Sequence, residues 1–123
     1  MELELKSIVQ TLDQHKGEDI KVLEIGALSS IGDYFVLVTA LNNTHAQALA
    51  HYVEEEVFKA GGQKPLRIEG LREGTWILMD YGDIIVHIFT AEERSYYGLE
   101  KLWGDAEEVA TDALTGGPSE EQS

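Results

Sequence analysis

The stretch that decides the fold is 75–90, with the sequence TWILMDYGDIIVHIFT. It contains two apolar runs, 76–81 and 84–89, separated by Gly82 and Asp83. Two residues that include a glycine, set between apolar runs, are typical of a β-hairpin. Few polar residues interrupt either run, so both faces of the hairpin are predicted to be covered. We therefore expect the hairpin at the centre of a sheet with helices packed on it.

Alternation along the first strand of this hairpin divides its side chains into two sets. Trp76, Leu78 and Asp80 share one face. The other face carries Ile77, Met79 and Tyr81. A face that combines a tryptophan with a carboxylate is not a plain core face, because a carboxylate is costly to bury. We interpret this face as the edge of the core or as a place where another protein docks.

Two helices are predicted before the hairpin. In the first, 2–16, the apolar positions recur at the spacing of one helical face, and Gly17 is the candidate C-cap. These positions are Leu5, Ile8, Val9 and Leu12. Thr44 and Gln47 have the form of a capping box that opens the second helix, which the glycine pair 61–62 ends. The apolar face of this second helix consists of Ala46, Leu49, Ala50, Val53 and Val57.

Three further strands are predicted at 20–25, 34–41 and 66–71. The second helix lies between the last two of these strands, and this crossover is expected to make them parallel with a right-handed connection. A tight turn at 72–74 then leads into the hairpin, so the last three strands are predicted to form an antiparallel meander. The predicted fold class is α/β, a single domain with a mixed five-stranded sheet and helices packed on it.

A third helix and an acidic tail are predicted after the hairpin. Thr90 and Glu93 form a second capping box. The apolar stripe of this helix consists of Tyr96, Leu99, Leu102 and Trp103. From residue 104 the composition changes to small and acidic residues, so 104–123 is predicted to be a mostly disordered tail with at most a nascent helical turn at 106–114. Residues 1–103 are then the folded domain.

Length and composition narrow the class of protein. The 123 residues suffice for one domain with a real core. The chain has no cysteine, which excludes a disulfide framework and thiol chemistry. No apolar run approaches the length that spans a bilayer, and the acidic start MELELK is unlike a signal peptide. A cytoplasmic location is therefore expected.

The net charge of −14 is the strongest compositional signal. Residues 105–123 carry six acidic residues and no lysine or arginine, and the rest of the chain is acidic as well. The nine lysines and arginines are scattered, which disfavours direct binding to a nucleic-acid backbone. An acidic surface suits a basic protein partner, although it can also serve solubility alone.

Patterns for catalysis are weak. The chain has no phosphate-binding loop pattern, no GxGxxG after a strand and no HExxH. His87 lies in the middle of a strand, where a hydrogen-bonded core or edge residue is the simpler interpretation. Asp80 and Asp83 bracket the hairpin turn and could hold a metal or do acid–base chemistry. However, Asp83 suits the turn itself, and no third ligand is evident.

Five stretches together resemble the ribosomal silencing factor family, also called Iojap-like proteins. They are SSIGDYFVLVTA at 29–40, THAQALAHYVEEEV at 44–57, GGQKPLRIEG at 61–70, TWILMDYGDIIVHIF at 75–89 and ERSYYGLEKLW at 93–103. The resemblance covers residues 2–103 and leaves out the acidic tail. It implies a mixed α/β sandwich related to nucleotidyltransferases.

The function that the resemblance implies is regulation of translation. The family binds the fourteenth protein of the large ribosomal subunit, blocks joining of the small subunit and lowers translation when nutrients are short. The implied mechanism is steric occlusion, with no enzymatic activity, no cofactor, no metal, no membrane and little direct contact with ribosomal RNA. Whether the free protein is a homodimer is left open.

The resemblance also implies a partner-binding surface at matching positions. On the hairpin these are Trp76, Asp80 and Tyr81. On the last helix they are Tyr97, Glu100 and Lys101. Strand alternation places Trp76 and Tyr81 on opposite faces, so both can contact one partner only if the hairpin twists or one of them lies at the rim.

Two alternatives remain open from the sequence. One is a metal-dependent nucleotidyltransferase that uses Asp33, Asp80 or Asp83. Nucleotidyltransferases carry a Gly-Ser pair followed by an Asp-x-Asp or Asp-x-Glu pair, and Ser29-Ser30 with Asp33 do not reproduce that pattern. The other is a self-associating adaptor that dimerises through an exposed strand or helix.

Overall fold

A computed structural model describes the backbone of residues 2–26, 33–97 and 107–109, and the side chains of residues 4–26, 33–95 and 109. The helices are α1 (Glu2–Gln14), α2 (Asn43–Lys59) and α3 (Ala91–Tyr97). The strands are β1 (Glu18–Glu24), β2 (Tyr34–Ala40), β3 (Arg67–Glu69), β4 (Trp76–Asp80), β5 (Ile84–Thr90) and β6 (Glu107–Val109).

The strands form one mixed sheet in the order β3-β4-β5-β2-β1-β6. Strands β2 and β5 pair in parallel, from Tyr34 opposite Ile84 to Ala40 opposite Thr90. The other neighbouring pairs are antiparallel. The hairpin β4–β5 therefore lies in the interior of the sheet, and the predicted α/β fold with a mixed sheet and packed helices is confirmed.

The crossover from β2 through α2 does not end beside β2. Strands β2 and β3 run in the same direction, as predicted, but β5 and β4 lie between them. Six of the seven residues of β5 are buried, so this strand needs a neighbour on each side. Strand β3 has only three residues, two of them exposed and charged, which suits the edge that it occupies.

A sixth strand comes from the segment that the sequence predicts as a tail. Strand β6 pairs antiparallel with β1, with Val109 opposite Val22. Val109 also packs against the main core. The predicted helical turn is therefore wrong for residues 107–109, because β1 has a free edge that a short extended segment can satisfy. The rest of 104–123 lies outside the described residues, and the domain boundary at 103 stays a prediction.

Helices α1 and α2 pack on one face of the sheet and form the main core with it. Leu5, Ile8, Val9 and Leu12 of α1 are buried there, as predicted. The predicted buried face of α2 is confirmed in full, with Ala46, Leu49, Ala50, Val53 and Val57. No helix among the described residues is long and apolar enough to cross a membrane.

The N-terminus of α2 differs from the predicted capping box. Asn42 is the N-cap, and its side-chain oxygen accepts a hydrogen bond of 2.8 Å from the His45 N–H. Thr44 lies inside the helix, and the Gln47 side chain donates to the carbonyl of Leu71 at 3.0 Å. Asparagine is at least as good an N-cap as threonine, so the helix begins two residues earlier than the sequence pattern indicated.

The C-terminus of α1 also differs from the prediction. Gly17 is the predicted C-cap, but it is Lys16, with a φ of 70°, that takes the left-handed conformation common at helix C-termini. Gly17 is the next residue of the same C-terminal cap, and its N–H donates a hydrogen bond of 2.8 Å to the carbonyl of Leu12. Glycine is required at this position because a Cβ would lie 2.7 Å from Val38 Cγ2. Helix α3 begins directly after Thr90, as predicted.

Candidate functional site: the aromatic face of the sheet

The face of the sheet opposite α1 and α2 carries a second apolar cluster, which we call the aromatic face. Its buried members are Leu23, Ile25, Phe35, Leu37, Ile85 and Phe89. Trp76 and Leu78 pack against them and are only partly buried. The alternation predicted for β4 is confirmed, since Ile77 and Met79 are fully buried on the helix side while Trp76, Leu78 and Asp80 are half-buried.

Trp76 is fixed in place by two aromatic neighbours on β5. Its indole Nε1–H donates a hydrogen bond of 3.1 Å to Nδ1 of His87. The Trp76 ring lies 5.6 Å from the Phe89 ring and 6.0 Å from the His87 ring, measured between centroids. The tryptophan is therefore held from the inside of the sheet, while the residue stays partly exposed.

His87 is a core residue, as the sequence interpretation held, with 4% of its surface exposed. The edge of its ring meets Phe35 at a centroid distance of 4.7 Å. Burial lowers the pKa of His87 to about 4, so the imidazole is neutral at pH 7. Because the indole can only donate, Nδ1 is the acceptor and the proton lies on Nε2. That buried Nε2 has no hydrogen-bond partner among the described residues.

The Asp80 side chain contacts both the hairpin turn and the neighbouring strand β3. Its Oδ1 accepts a hydrogen bond of 2.8 Å from the Gly82 N–H, and its Oδ2 lies 3.4 Å from Nε of Arg67 on β3. The Asp80 side chain is 19% exposed, whereas that of Arg67 is 63% exposed. Asp80 therefore shapes the turn beside Trp76 and places a solvated arginine at the edge of the sheet.

Tyr81 lies on the helix side of the sheet, away from Trp76. Its ring packs against the main core, and its buried hydroxyl has no hydrogen-bond partner among the residues that the structure describes. Burial raises the pKa of Tyr81, with smaller contributions from the charges of Glu54 and Glu4. The structure therefore separates these two predicted site residues, as strand alternation implied.

The three predicted site residues of the last helix are only partly covered by the structure. Tyr97 is the final residue of α3, and its side chain is not described. Glu100 and Lys101 lie outside the described residues. Helix α3 itself contacts β5 and β2.

Arg94 attaches α3 to the aromatic face. Its Nη1 donates to Thr39 Oγ1 at 2.8 Å, its Nη2 lies 3.7 Å from Asp19 Oδ2, and its guanidinium lies 5.8 Å from the centre of the Phe89 ring. The sequence reasoning did not single out Arg94. A single arginine in a helix with two glutamates gives no signal of burial from its spacing.

The aspartates considered for catalysis make structural contacts, Asp33 and Asp83 through their backbone and Asp80 through its carboxylate. The backbone N–H groups of Asp33 and Tyr34 both donate to the carbonyl of Asp83, at 2.8 and 3.0 Å, which ties the hairpin turn to the start of β2. Asp80 binds Gly82 and Arg67, as above. Within residues 2–26, 33–97 and 107–109, no group of three or more His, Cys, Asp or Glu side chains is arranged to hold a metal. Ser29 and Ser30 lie outside the described residues.

Comparison with known proteins identifies the family. The family described as "Ribosomal silencing factor during starvation" matches residues 1–123, including the acidic segment that the resemblance left out. A protein of Bacillus subtilis named "Ribosomal silencing factor RsfS" is 39% identical over 102 residues, which cover 83% of this chain and 86% of that protein. A protein of the same name from Halalkalibacterium halodurans is 36% identical over 89% of this chain and 93% of its own length.

The fold has a close match among solved structures. The crystal structure of a protein from Chromobacterium violaceum superposes with a TM-score of 0.79 at 34% identity, covering 82% of this chain and 83% of that one. The sequence and structure matches thus each cover more than four-fifths of the chain. The chain belongs to the ribosomal silencing factor family.

Proposed function

We propose that this protein binds the large ribosomal subunit through the fourteenth protein of that subunit and blocks joining of the small subunit, which represses translation when nutrients are short. The observation that carries the proposal is the family match over residues 1–123. A small domain that covers the subunit-joining face acts by occupying space. The mechanism therefore needs no catalytic group, metal or cofactor.

The docking surface that we propose is the partly exposed rim of the aromatic face, at Trp76, Leu78 and Asp80. Trp76 is half-buried and rigidly held, and a preorganised tryptophan is a favoured anchor because little side-chain entropy is lost when it binds. Asp80 and Arg67 provide a charged rim beside it. Tyr97, Glu100 and Lys101 are proposed to extend this surface along the last helix.

Tyr81 is proposed to contribute at the rim of the hairpin. Since its hydroxyl is buried on the helix side, any contact with the same partner as Trp76 would involve the part of Tyr81 that stays exposed. We therefore expect Trp76 to dominate the interface and Tyr81 to add less.

Charge supports a basic protein partner. A net charge of −14 attracts the basic proteins of the ribosome and repels exposed ribosomal RNA. Steering of this kind acts mainly on the association rate and weakens as salt screens the charges. We expect association with the large subunit to slow as ionic strength rises, while dissociation changes less.

The direct test is co-sedimentation with purified ribosomal subunits, separately and mixed. We expect the protein to pellet with large subunits and not with small subunits, and to reduce the amount of joined ribosomes in the mixture. Absence from the large-subunit pellet at micromolar protein would contradict the proposal. Light scattering on the free protein would establish whether it is a homodimer.

The alternative of a nucleotidyltransferase has its own test. Isothermal calorimetry with nucleoside triphosphates and Mg²⁺ would detect binding by Asp33, Asp80 or Asp83 if these residues formed a catalytic site. Heat at millimolar nucleotide that disappears in an Asp80→Asn variant would favour the enzyme. No heat would leave steric occlusion as the working mechanism.

A further inference from the structure

His87 is an unusual choice for its position in the sheet. Its neighbours on β5, Val86 and Ile88, are fully buried, and on the aromatic face its ring packs against Phe35 and Phe89. The ring carries a polar Nε2–H that is buried without a partner among the described residues. An unpaired buried donor costs stability, and a leucine would fill similar space without that cost. Stability therefore does not explain the histidine.

The group that benefits from His87 is the indole of Trp76. The hydrogen bond of 3.1 Å to Nδ1 satisfies the one polar atom of the tryptophan side chain from within the protein. A tryptophan on a docking surface otherwise gives its N–H to water and must find a partner for it when the surface is covered.

We propose that His87 is a positioning residue of the docking surface, which holds the Trp76 ring and satisfies its N–H so that a protein partner can cover the ring without leaving that donor unpaired. The proposal rests on the proposed function, because it concerns the same surface. His87 itself makes no contact with the partner. The matching part of the partner is correspondingly apolar, since it need not supply an acceptor for the indole.

This role has a consequence that a purely structural residue would not have. In a His87→Leu variant the indole N–H of the free protein turns to water, and that hydrogen bond is lost only on binding. The cost therefore falls on affinity for the large subunit. An unpaired buried donor reduces affinity by about 10-fold or more. Folding stability should be unchanged or higher, because the buried Nε2–H is removed at the same time.

The test uses the full chain in four forms: wild type, His87→Leu, His87→Asn and Trp76→Phe. Asparagine can offer its side-chain oxygen near the position of Nδ1, so it is the conservative variant that should rescue the interaction. The affinity for purified large subunits is measured by sedimentation at increasing protein concentration. We expect a loss of about 10-fold or more for His87→Leu and of less than about 3-fold for His87→Asn.

A double-variant comparison separates positioning from general damage. In the Trp76→Phe background there is no indole N–H to satisfy, so adding His87→Leu should change the affinity by less than about 2-fold. An equal loss in both backgrounds would overturn the proposal. If His87→Leu does not fold, His87→Val, which also lacks an acceptor for the indole N–H, replaces it in both backgrounds and gives the same comparison.

A second readout does not depend on the ribosome. In a ¹⁵N-correlation spectrum the Trp76 indole signal, identified by its absence in Trp76→Phe, should move in His87→Leu and stay near its original position in His87→Asn. An altered indole signal with unchanged affinity for the large subunit would overturn the positioning role and leave the proposed function intact. Failure of the wild-type protein to bind would overturn both.

Discussion

The two faces of the central hairpin differ in what their side chains can do. On the helix side, Ile77, Met79 and Ile88 have no exposed surface and pack under α1 and α2. On the aromatic side, the same two strands carry Trp76 half-buried and His87 buried, with a ring nitrogen that has no hydrogen-bond partner in the described part of the chain. Strand alternation thus places one set of residues in the core, and we propose recognition for the set between them; substitutions can separate the two.

The largest expected effect is on the helix side. Ile77→Ala opens a cavity in the main core and should lower the free energy of unfolding by about 2–5 kcal/mol. The half-buried Leu78 is the matched control, because Leu78→Ala on the adjacent position should cost only about 1–2 kcal/mol. Urea denaturation followed by circular dichroism measures both. Equal losses would mean that the two faces are buried alike.

Acidification should weaken the aromatic side through His87. Burial lowers its pKa to about 4 from an ordinary value of 6.5, so the unfolded chain binds the proton first. Because the buried imidazole resists protonation, the wild-type protein is most stable above pH 6.5 and loses up to about 3 kcal/mol of unfolding free energy as the pH falls through 4.

His87→Leu isolates this contribution from the carboxylates that titrate in the same range. As the pH falls from 6.5 to 4, wild type should therefore lose unfolding free energy relative to His87→Leu. A difference that stays constant over this range would show that His87 titrates normally.

Removing the N-cap of α2 should have a smaller effect on stability, confined to the helix side of the sheet. Asn42→Ala removes the acceptor for the His45 N–H and should cost about 1 kcal/mol. Thr44→Ala, at the position that the sequence pattern favoured, should change stability by less than about 0.5 kcal/mol because Thr44 is an exposed residue inside the helix. Thermal denaturation of the two variants checks this order, and the reverse order would restore the capping box at Thr44.

The smallest expected effect is at Tyr81. Tyr81→Phe removes a buried hydroxyl that has no partner among the described residues, so stability should stay within about 0.5 kcal/mol of wild type or rise. Chemical denaturation measures this. A loss above about 1 kcal/mol would mean that the hydroxyl is hydrogen-bonded in solution.

Much of this fold could be predicted because local patterns agree with tertiary packing. The buried face of α2 and the alternation along β4 follow from periodicity alone, since each element covers one core. Strand order could not be predicted in the same way. The pairing of β5 with β2 depends on which strands must have a neighbouring strand on each side. The order of the strands along the chain does not determine that pairing.

The residues of the candidate site were harder to predict from the sequence than the fold was. Trp76 and Asp80 could be found from an unusual mixture on one strand face. The sequence indicated that His87 is a hydrogen-bonded core or edge residue but not that it pairs with Trp76, and it gave no signal for Arg94, because the partners Trp76 and Thr39 are distant along the chain. Asn42 and Lys16 replaced the predicted caps because several residues near a helix end can take the same role, and the backbone path selects one.

We propose that the aromatic face, and not the face formed by α1 and α2, docks on the large ribosomal subunit. The most direct test compares Trp76→Ala with Phe58→Ala, since Phe58 is 57% exposed on α2 and offers an aromatic control of opposite location. Sedimentation with purified large subunits should show about 30-fold weaker binding for Trp76→Ala and less than about 2-fold change for Phe58→Ala, with native circular dichroism in both. Wild-type affinity in Trp76→Ala, or a greater loss in Phe58→Ala, would contradict the account.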